Sequence, residues 1–177
     1  MSMKNQCLDI VMTGYAGLAA SKKMAIEHRE VLNRTLTRAF LDSLQRIPEE
    51  HADKEGHTVP DVFMACPYKD SSLLEEPMMV EVARGGILEA LWNLADLAGV
   101  GLNVDMEKIP IRQETIEVCE ILDENPYQMP SGCRIYLTVN GNTHPGRVIG
   151  QTNASKARTI TTREGVRYLD KPRHKGE

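Results

Sequence analysis

The run EVARGGILEALWNLADLAGVGLNVDMEKIPIRQETIEVCEIL, residues 81–122, constrains the fold of this chain more than any other stretch. Its periodicity and its turn residues agree along the whole length. From Ile87 onward, Leu88, Leu91, Trp92, Ala95 and Ala98 recur at three- and four-residue steps, while Glu89, Asn93 and Asp96 fall opposite. Such spacing puts one apolar face on a helix. Gly85 and Gly86 permit a sharp entry, and Gly99 suits a left-handed cap at the exit. Val100, Leu102 and Val104 then alternate with Gly101 and Asn103, the period of a strand. Pro110 sets up a second helix, with Arg112, Gln113 and Glu114 in its first turn and a stripe of Thr115, Ile116, Cys119 and Leu122 to bury. The predicted order is glycine turn, helix, short strand, helix, with tight connections throughout, which places the chain among α/β domains.

These residues carry a resemblance. The run RGGILEALWNLADLAGVGLNVDMEKIPIRQETIEVCEILDENPY resembles the C-terminal domain of the aminoimidazole ribonucleotide (AIR) synthetase superfamily. That superfamily includes formylglycinamidine synthetase, selenophosphate synthetase, thiamine monophosphate kinase and the hydrogenase maturation protein that dehydrates a carbamoyl group to a nitrile. The AIR synthase-related, hydrogenase-maturation-like branch is the most similar. The glycine pair, helix, GVGL strand, IP(I/V)R turn and helix fall in one order, and the resemblance extends from Leu8 to Pro172 with a weakly matching middle. The implied fold class is α/β (α+β): a three-layer, PurM-like C-terminal domain with a mixed sheet and packed helices, partly ferredoxin-like. Relatives place a helix of several turns between the strand resembling RIYLTV and the segment resembling RVIGQT. Here one helix is deleted near residues 140–147, where a short glycine-containing connection takes its place.

With 177 residues, 41% of them hydrophobic and 26% charged, the chain suits one domain with a sizeable core, spanning 1–177, and is too short for two ordinary domains. The net charge of -4 argues against a dedicated nucleic-acid partner. No run approaches the roughly 20 apolar residues of a membrane helix, and MSMKNQCLDIVM lacks the apolar core of a signal peptide. A soluble, cytoplasmic protein is expected. Cys7, Cys66, Cys119 and Cys133 form no CxxC pair and read as reduced thiols rather than as metal ligands or disulfides.

Along the chain, residues 8–12 read as a buried strand that ends at Thr13-Gly14. The segment DIVMTGYAGLAASKKMA resembles the family's strand, loop and helix start, with the G-x-x-[GA]-[TS] pattern on Gly17, Leu18, Ala19, Ala20 and Ser21. Such a loop can bring backbone N–H groups toward an anion, and the resemblance implies a phosphate-facing role; close helix packing is the alternative reading. Residues 22–47 are predicted as one helix that buries Val31, Leu32, Leu36, Ala39, Phe40 and Leu44 and exposes Arg29, Arg34, Arg38 and Arg46 as a solvated face. The polar stretch EEHADKEGHT is expected as a flexible surface loop, since the spacing of His51, Asp53 and His57 matches no familiar metal site. Residues 59–66 read as a strand, 67–72 as a turn-rich connection and 78–82 as the strand that feeds the glycine turn. That turn departs from the family's D-x-[ST]-x-G-G: Glu81 keeps the charge on a longer stem, and Ala83 removes a hydroxyl. Residues 133–139 alternate as a strand with Ile135, Leu137 and Val139 on one side, and 158–169 read as a hairpin about Arg163-Glu164-Gly165. Residues 171–177 are expected to fray.

The resemblance further implies a second, N-terminal domain that supplies acidic metal-binding residues and much of the ATP site. This chain has no GxxxxGK[ST] pattern and no aspartate-rich segment to hold magnesium on a triphosphate. Autonomous ATP-dependent synthesis is therefore not expected. Two readings stay open. The chain is either the C-terminal domain or subunit of an ATP-dependent synthetase- or ligase-type or maturation enzyme, with ATP and magnesium bound only together with an N-terminal-type domain or chain, or a non-catalytic binding or assembly module. An independent hydrolase is the weakest reading, because Ser21, Ser71, Ser72 and the histidines form no triad motif. Gly14, Gly17, Ser21, Arg84, Gly85 and Gly86 are the candidates for an anion-facing surface, no metal site is assigned, and apolar surface left without its partner domain favours a homo-oligomer.

Overall fold

The computed structural model describes residues 7–52, 54–57 and 78–172. Seven strands form one mixed sheet: β1 (Asp9–Met12), β2 (Met79–Glu81), β3 (Gly101–Asp105), β4 (Arg134–Thr138), β5 (Arg147–Asn153), β6 (Arg158–Thr162) and β7 (Gly165–Tyr168). Their spatial order is β2-β4-β1-β5-β3-β6-β7. Only β3 and β6 are parallel neighbours; every other adjacent pair is antiparallel. Following these directions across the sheet, β1, β2, β3 and β6 all point the same way. The loops after Met12, Glu81, Asp105 and Thr162 therefore gather at one end of the sheet.

Among the described residues the helices are α1 (Leu18–Glu27), α2 (Arg29–Leu32), α3 (Arg38–Gln45), α4 (Gly86–Ala98) and α5 (Gln113–Ile121). Helix α4 lies on the sheet, and its Ile87, Ala90, Leu91, Leu94 and Ala95 join Ile10, Met12, Leu102, Val104, Ile135, Leu137 and Ile149 in the main core. Helices α1, α3 and α5 close a second cluster around Leu18, Ala25, Leu32, Leu41, Leu44 and Val118. The mixed sheet with packed helices is the architecture the sequence led us to expect.

Several boundaries and faces differ from expectation. The single helix expected over 22–47 is broken twice. His28 leaves helical geometry at φ -117, ψ 30, and Thr37, in an extended conformation, starts α3 with its hydroxyl accepting from the Phe40 N–H. Each break resets the phase, so Leu41 and Ile47 are buried, Val31 is 41% exposed, and Ala39 faces solvent. The buried stripe of α4 runs through Ala90 and Leu94, which leaves Leu88, Trp92 and Ala98 only half-buried. Arg158 explains Trp92: its guanidinium carbon stacks 4.1 Å from the ring centroid and its Nη2 donates to Asp96 at 2.6 Å, covering the indole without a core. In α5, Val118 is buried where Ile116 and Leu122 are half-buried. Strand β4 is buried on both faces from Ile135 to Thr138, while Val139 is 55% exposed. The expected strand at 59–66, the turn at 67–72 and the side chains of Asp53, Ser71 and Ser72 lie outside the described residues.

The shortened connection before β5 contains only a 3-10 turn, Gly141–Thr143. It packs onto the sheet face opposite α4: a Cβ at Gly141 would lie 2.7 Å from a Val11 methyl, and the Tyr136 hydroxyl donates to the Pro145 carbonyl at 3.4 Å. Val11 and Tyr136 are buried there, with Met79 and Val148 packed against them.

Candidate functional site

The six residues expected to form an anion-facing surface all map to the end of the sheet where β1, β2, β3 and β6 finish, and they divide into two groups. Between the groups lies the segment 126–133, which leads into β4 and opens with the 3-10 turn Pro126–Gln128.

Gly14, Gly17 and Ser21 are buried behind that segment. A Cβ at Gly14 would sit 2.0 Å from the Glu49 carbonyl oxygen, and one at Gly17 would sit 2.7 Å from that of Pro126. Gly17 also has φ 66, so glycine is required there on both counts. The N-terminus of α1, a ready anion site in principle, is filled by protein. Gly17 N–H donates to Ser131 Oγ at 2.9 Å, Leu18 N–H to Tyr15 O, Ala19 N–H to Ser131 O and Ala20 N–H to Pro130 O. The Ser21 hydroxyl donates to Leu18 O and lies 3.0 Å from Thr115 Oγ1, joining α1 to α5. These residues hold helix to loop, which is the packing reading of the G-x-x-[GA]-[TS] pattern.

Arg84, Gly85 and Gly86 stand on the other side. Gly86, at φ 71, is buried against the same segment, with a Cβ position 2.3 Å from Tyr127 O and 2.6 Å from Gln128 Cα. Arg84 and Gly85 instead line an open cleft of about 1220 Å³. Its walls are the entry to α4 with Leu88 and Glu89, the turn residues Met106 and Gln128, and the C-terminal hairpin through Thr162, Arg167, Tyr168 and Lys171. A smaller hollow of about 500 Å³ continues along the same end through Glu107, Ile109, Ile111, Tyr127 and Arg163. Ligands of open α/β sheets gather outside the carboxyl ends of strands. Arg84, Arg167 and Lys171 bring three cations to the cleft against the carboxylates of Glu89 and Asp170, and Gln128 and Thr162 add groups able to hydrogen-bond; Arg167 also pairs with Glu164 at 3.2 Å.

One polar cluster at this end carries no motif in the sequence. Glu50 pairs through both oxygens with the Arg134 guanidinium, and the Thr13 hydroxyl donates to Glu50 Oε2 at 2.8 Å. Arg134 N–H donates back to Thr13 Oγ1, and His51 N–H donates to Thr13 O at 2.6 Å. The start of the stretch expected as a flexible surface loop is thus pinned to β1 and β4. The His51 ring stands edge-on to Tyr15 at 5.0 Å, and burial holds its pKa below the usual histidine value. Burial pushes the Cys133 thiol up to about 12, with Glu50 adding to the effect, and the Cys119 thiol to about 11. Both are packed sulfurs with little thiolate at neutral pH.

Among the described residues no three His, Cys, Asp or Glu side chains come together to hold a metal ion.

Comparison with known proteins gives this site its context. No family model matches the chain. The carbamoyl dehydratase HypE of Rhodobacter capsulatus is 31% identical over 84 residues, covering 48% of this chain and 23% of that protein. Over that stretch the chain is similar to HypE. Solved structures agree on the fold. E. coli HypE, a hydrogenase maturation protein, matches with TM-score 0.58 at 16% identity over 96% of this chain and 51% of its own. HypE in a HypE–HypF complex matches with TM-score 0.54 at 20% identity over 93% and 53%. Thiamine monophosphate kinase from Aquifex aeolicus matches with TM-score 0.54 at 14% identity over 93% and 52%. The fold is therefore that shared by these HypE and thiamine monophosphate kinase structures. The chain spans about half the length of these solved HypE-like proteins and about a quarter of the Rhodobacter relative. Among the described residues no helix is long and apolar enough to cross a membrane.

Proposed function

We propose that this chain is the ligand-contacting lobe, corresponding to the C-terminal domain, of a HypE-like maturation protein or a related ATP-using enzyme. In this reading it acts against a complementary N-terminal-type domain that holds the nucleotide and its magnesium. The observation that carries the proposal is the cleft at the strand ends, where Arg84, Arg167 and Lys171 surround the entry to α4. Its cations suit a phosphate or carboxylate group, and the described residues bring no three His, Cys, Asp or Glu side chains together to hold a metal ion on a triphosphate. Phosphoryl transfer needs those ions and donors positioned together, so the lobe by itself is inactive. The same reading makes it cytoplasmic and self-associated through surface that the complementary domain would otherwise cover.

Calorimetry with ATP and magnesium tests this, using the chain alone, the N-terminal half of a HypE protein alone, and the two together. Nucleotide binding that strengthens in the mixture, with the two polypeptides associating, is the expected result. No association and no gain in binding would refute it. A second reading, a non-catalytic assembly module, is favoured by Ala83, which leaves the turn before α4 without a hydroxyl. It predicts association without any change in nucleotide affinity.

A further inference from the structure

Gly85 and Gly86 form a pair in sequence, but the structure requires glycine at the two positions for different reasons. Gly86 needs its positive φ of 71. Gly85 has φ -119, ψ 2, which other residues adopt. What excludes a side chain at 85 is Glu89. Its Oε2 lies 1.5 Å from the place a Cβ would take, and its own Cβ lies 2.6 Å away. The Glu89 side chain is thus folded back along the first turn of α4 onto Gly85, inside the cleft also lined by Arg84, Arg167 and Lys171. A carboxylate is favoured there by the cations of the cleft and by the positive end of the helix behind it.

We infer that the Glu89 carboxylate, which shares the cleft with that of Asp170, is a built-in competitor that an incoming phosphate-type group displaces in order to bind. The inference rests on the reading of the cleft as an anion site and adds what regulates it. Glu89 sets the affinity, and an anionic ligand binds only after the carboxylate swings away from Gly85. Like charges a few ångströms apart in a solvated cleft weaken binding by about tenfold, so removing the charge should recover that factor.

Inorganic pyrophosphate is the probe, titrated by calorimetry into the full chain and into Glu89→Gln, Gly85→Ala and Arg84→Ala/Glu89→Gln variants. Glu89→Gln removes the charge and keeps the shape. Gly85→Ala expels the carboxylate by a separate route, and so covers the case in which Glu89→Gln folds poorly. Both should bind pyrophosphate about tenfold more tightly than the parent, and Arg84→Ala/Glu89→Gln should lose the gain. If the parent binds and neither single variant binds more tightly, Glu89 is not a competitor, although the cleft remains an anion site. If no protein in the set binds pyrophosphate, the anion site and the competitor fail together.

Discussion

Replacing Gly86 by alanine, beside the same replacement at Gly99, separates crowding from backbone conformation. Both glycines are left-handed, at φ 71 and φ 65. Alanine in that region costs about 1–2 kcal/mol at either position, offset by about 0.4–1 kcal/mol from the stiffer unfolded chain. Around Gly99 no atom lies within 4 Å of the added Cβ, so Gly99→Ala should cost about 1 kcal/mol in total. At Gly86 the new carbon would fall 2.3 Å from Tyr127 O and 2.6 Å from Gln128 Cα, both backbone atoms of the turn that separates α4 from α1. Overpacking of this kind adds about 1–3 kcal/mol, which brings Gly86→Ala to about 2–4 kcal/mol. Urea titration followed by far-ultraviolet circular dichroism reads both values, with similar m-values expected. In thermal melts, at roughly 2–4 °C per kcal/mol for a domain of this size, Gly99→Ala should lower Tm by about 2–4 °C and Gly86→Ala by about 4–16 °C. Equal losses at the two positions would refute the crowding argument.

Ser131→Ala removes the acceptor of the buried Gly17 N–H and should cost about 1–3 kcal/mol by urea denaturation; a loss below about 0.3 kcal/mol would mean that water replaces the hydroxyl. Glu50→Ala strands the half-buried Arg134 and frees the Thr13 hydroxyl, an expected loss of about 1–3 kcal/mol. Glu50→Ala/Arg134→Ala should fall short of the sum of the single variants, and additivity would show that the pair contributes nothing. Because burial lowers the His51 pKa, the unfolded chain binds the proton more readily than the folded one. Stability should be full above about pH 6.5 and decline as the pH falls through that value, and His51→Gln should flatten this part of the curve. Alkylation mapped by mass spectrometry at pH 8 should mark exposed Cys7 while sparing buried Cys119 and Cys133 until urea is added.

The central stretch was legible because its signals are local. Gly85, Gly86, Gly99 and Pro110 mark helix ends, and the strand period at Leu102 and Val104 needs no tertiary information. The hairpin about Arg163 and Glu164 was legible for the same reason, whereas the short connection before β5 was read from the resemblance. Long-range packing was not. Nothing in the sequence says that Arg158 will cover Trp92, so the apolar stripe of α4 is read through Trp92 instead of Leu94. His28 and Thr37 break a helix whose residues all tolerate helical geometry, and the phase of the burial pattern goes with them. At the candidate site, glycine spacing placed the candidates at one end of the sheet but could not tell Gly17, pressed against Pro126, from Gly85, which lines the cleft. The pinning of Glu50 by Thr13 and Arg134 joins residues 37 and 84 positions apart, and no motif announces it. Only the polarity of that stretch was visible, and it pointed to a surface loop.

Hydrogen exchange on this chain, with and without the N-terminal half of a HypE protein, tests the central claim most directly. The account predicts new protection at Arg84 to Glu89, around Gln128 and along Thr162 to Lys171, the rim of the cleft, with the α1–α3 face unchanged. Protection confined to the exposed Ile26 and Val31 side of the helices, or none anywhere while the two polypeptides demonstrably bind, would contradict it.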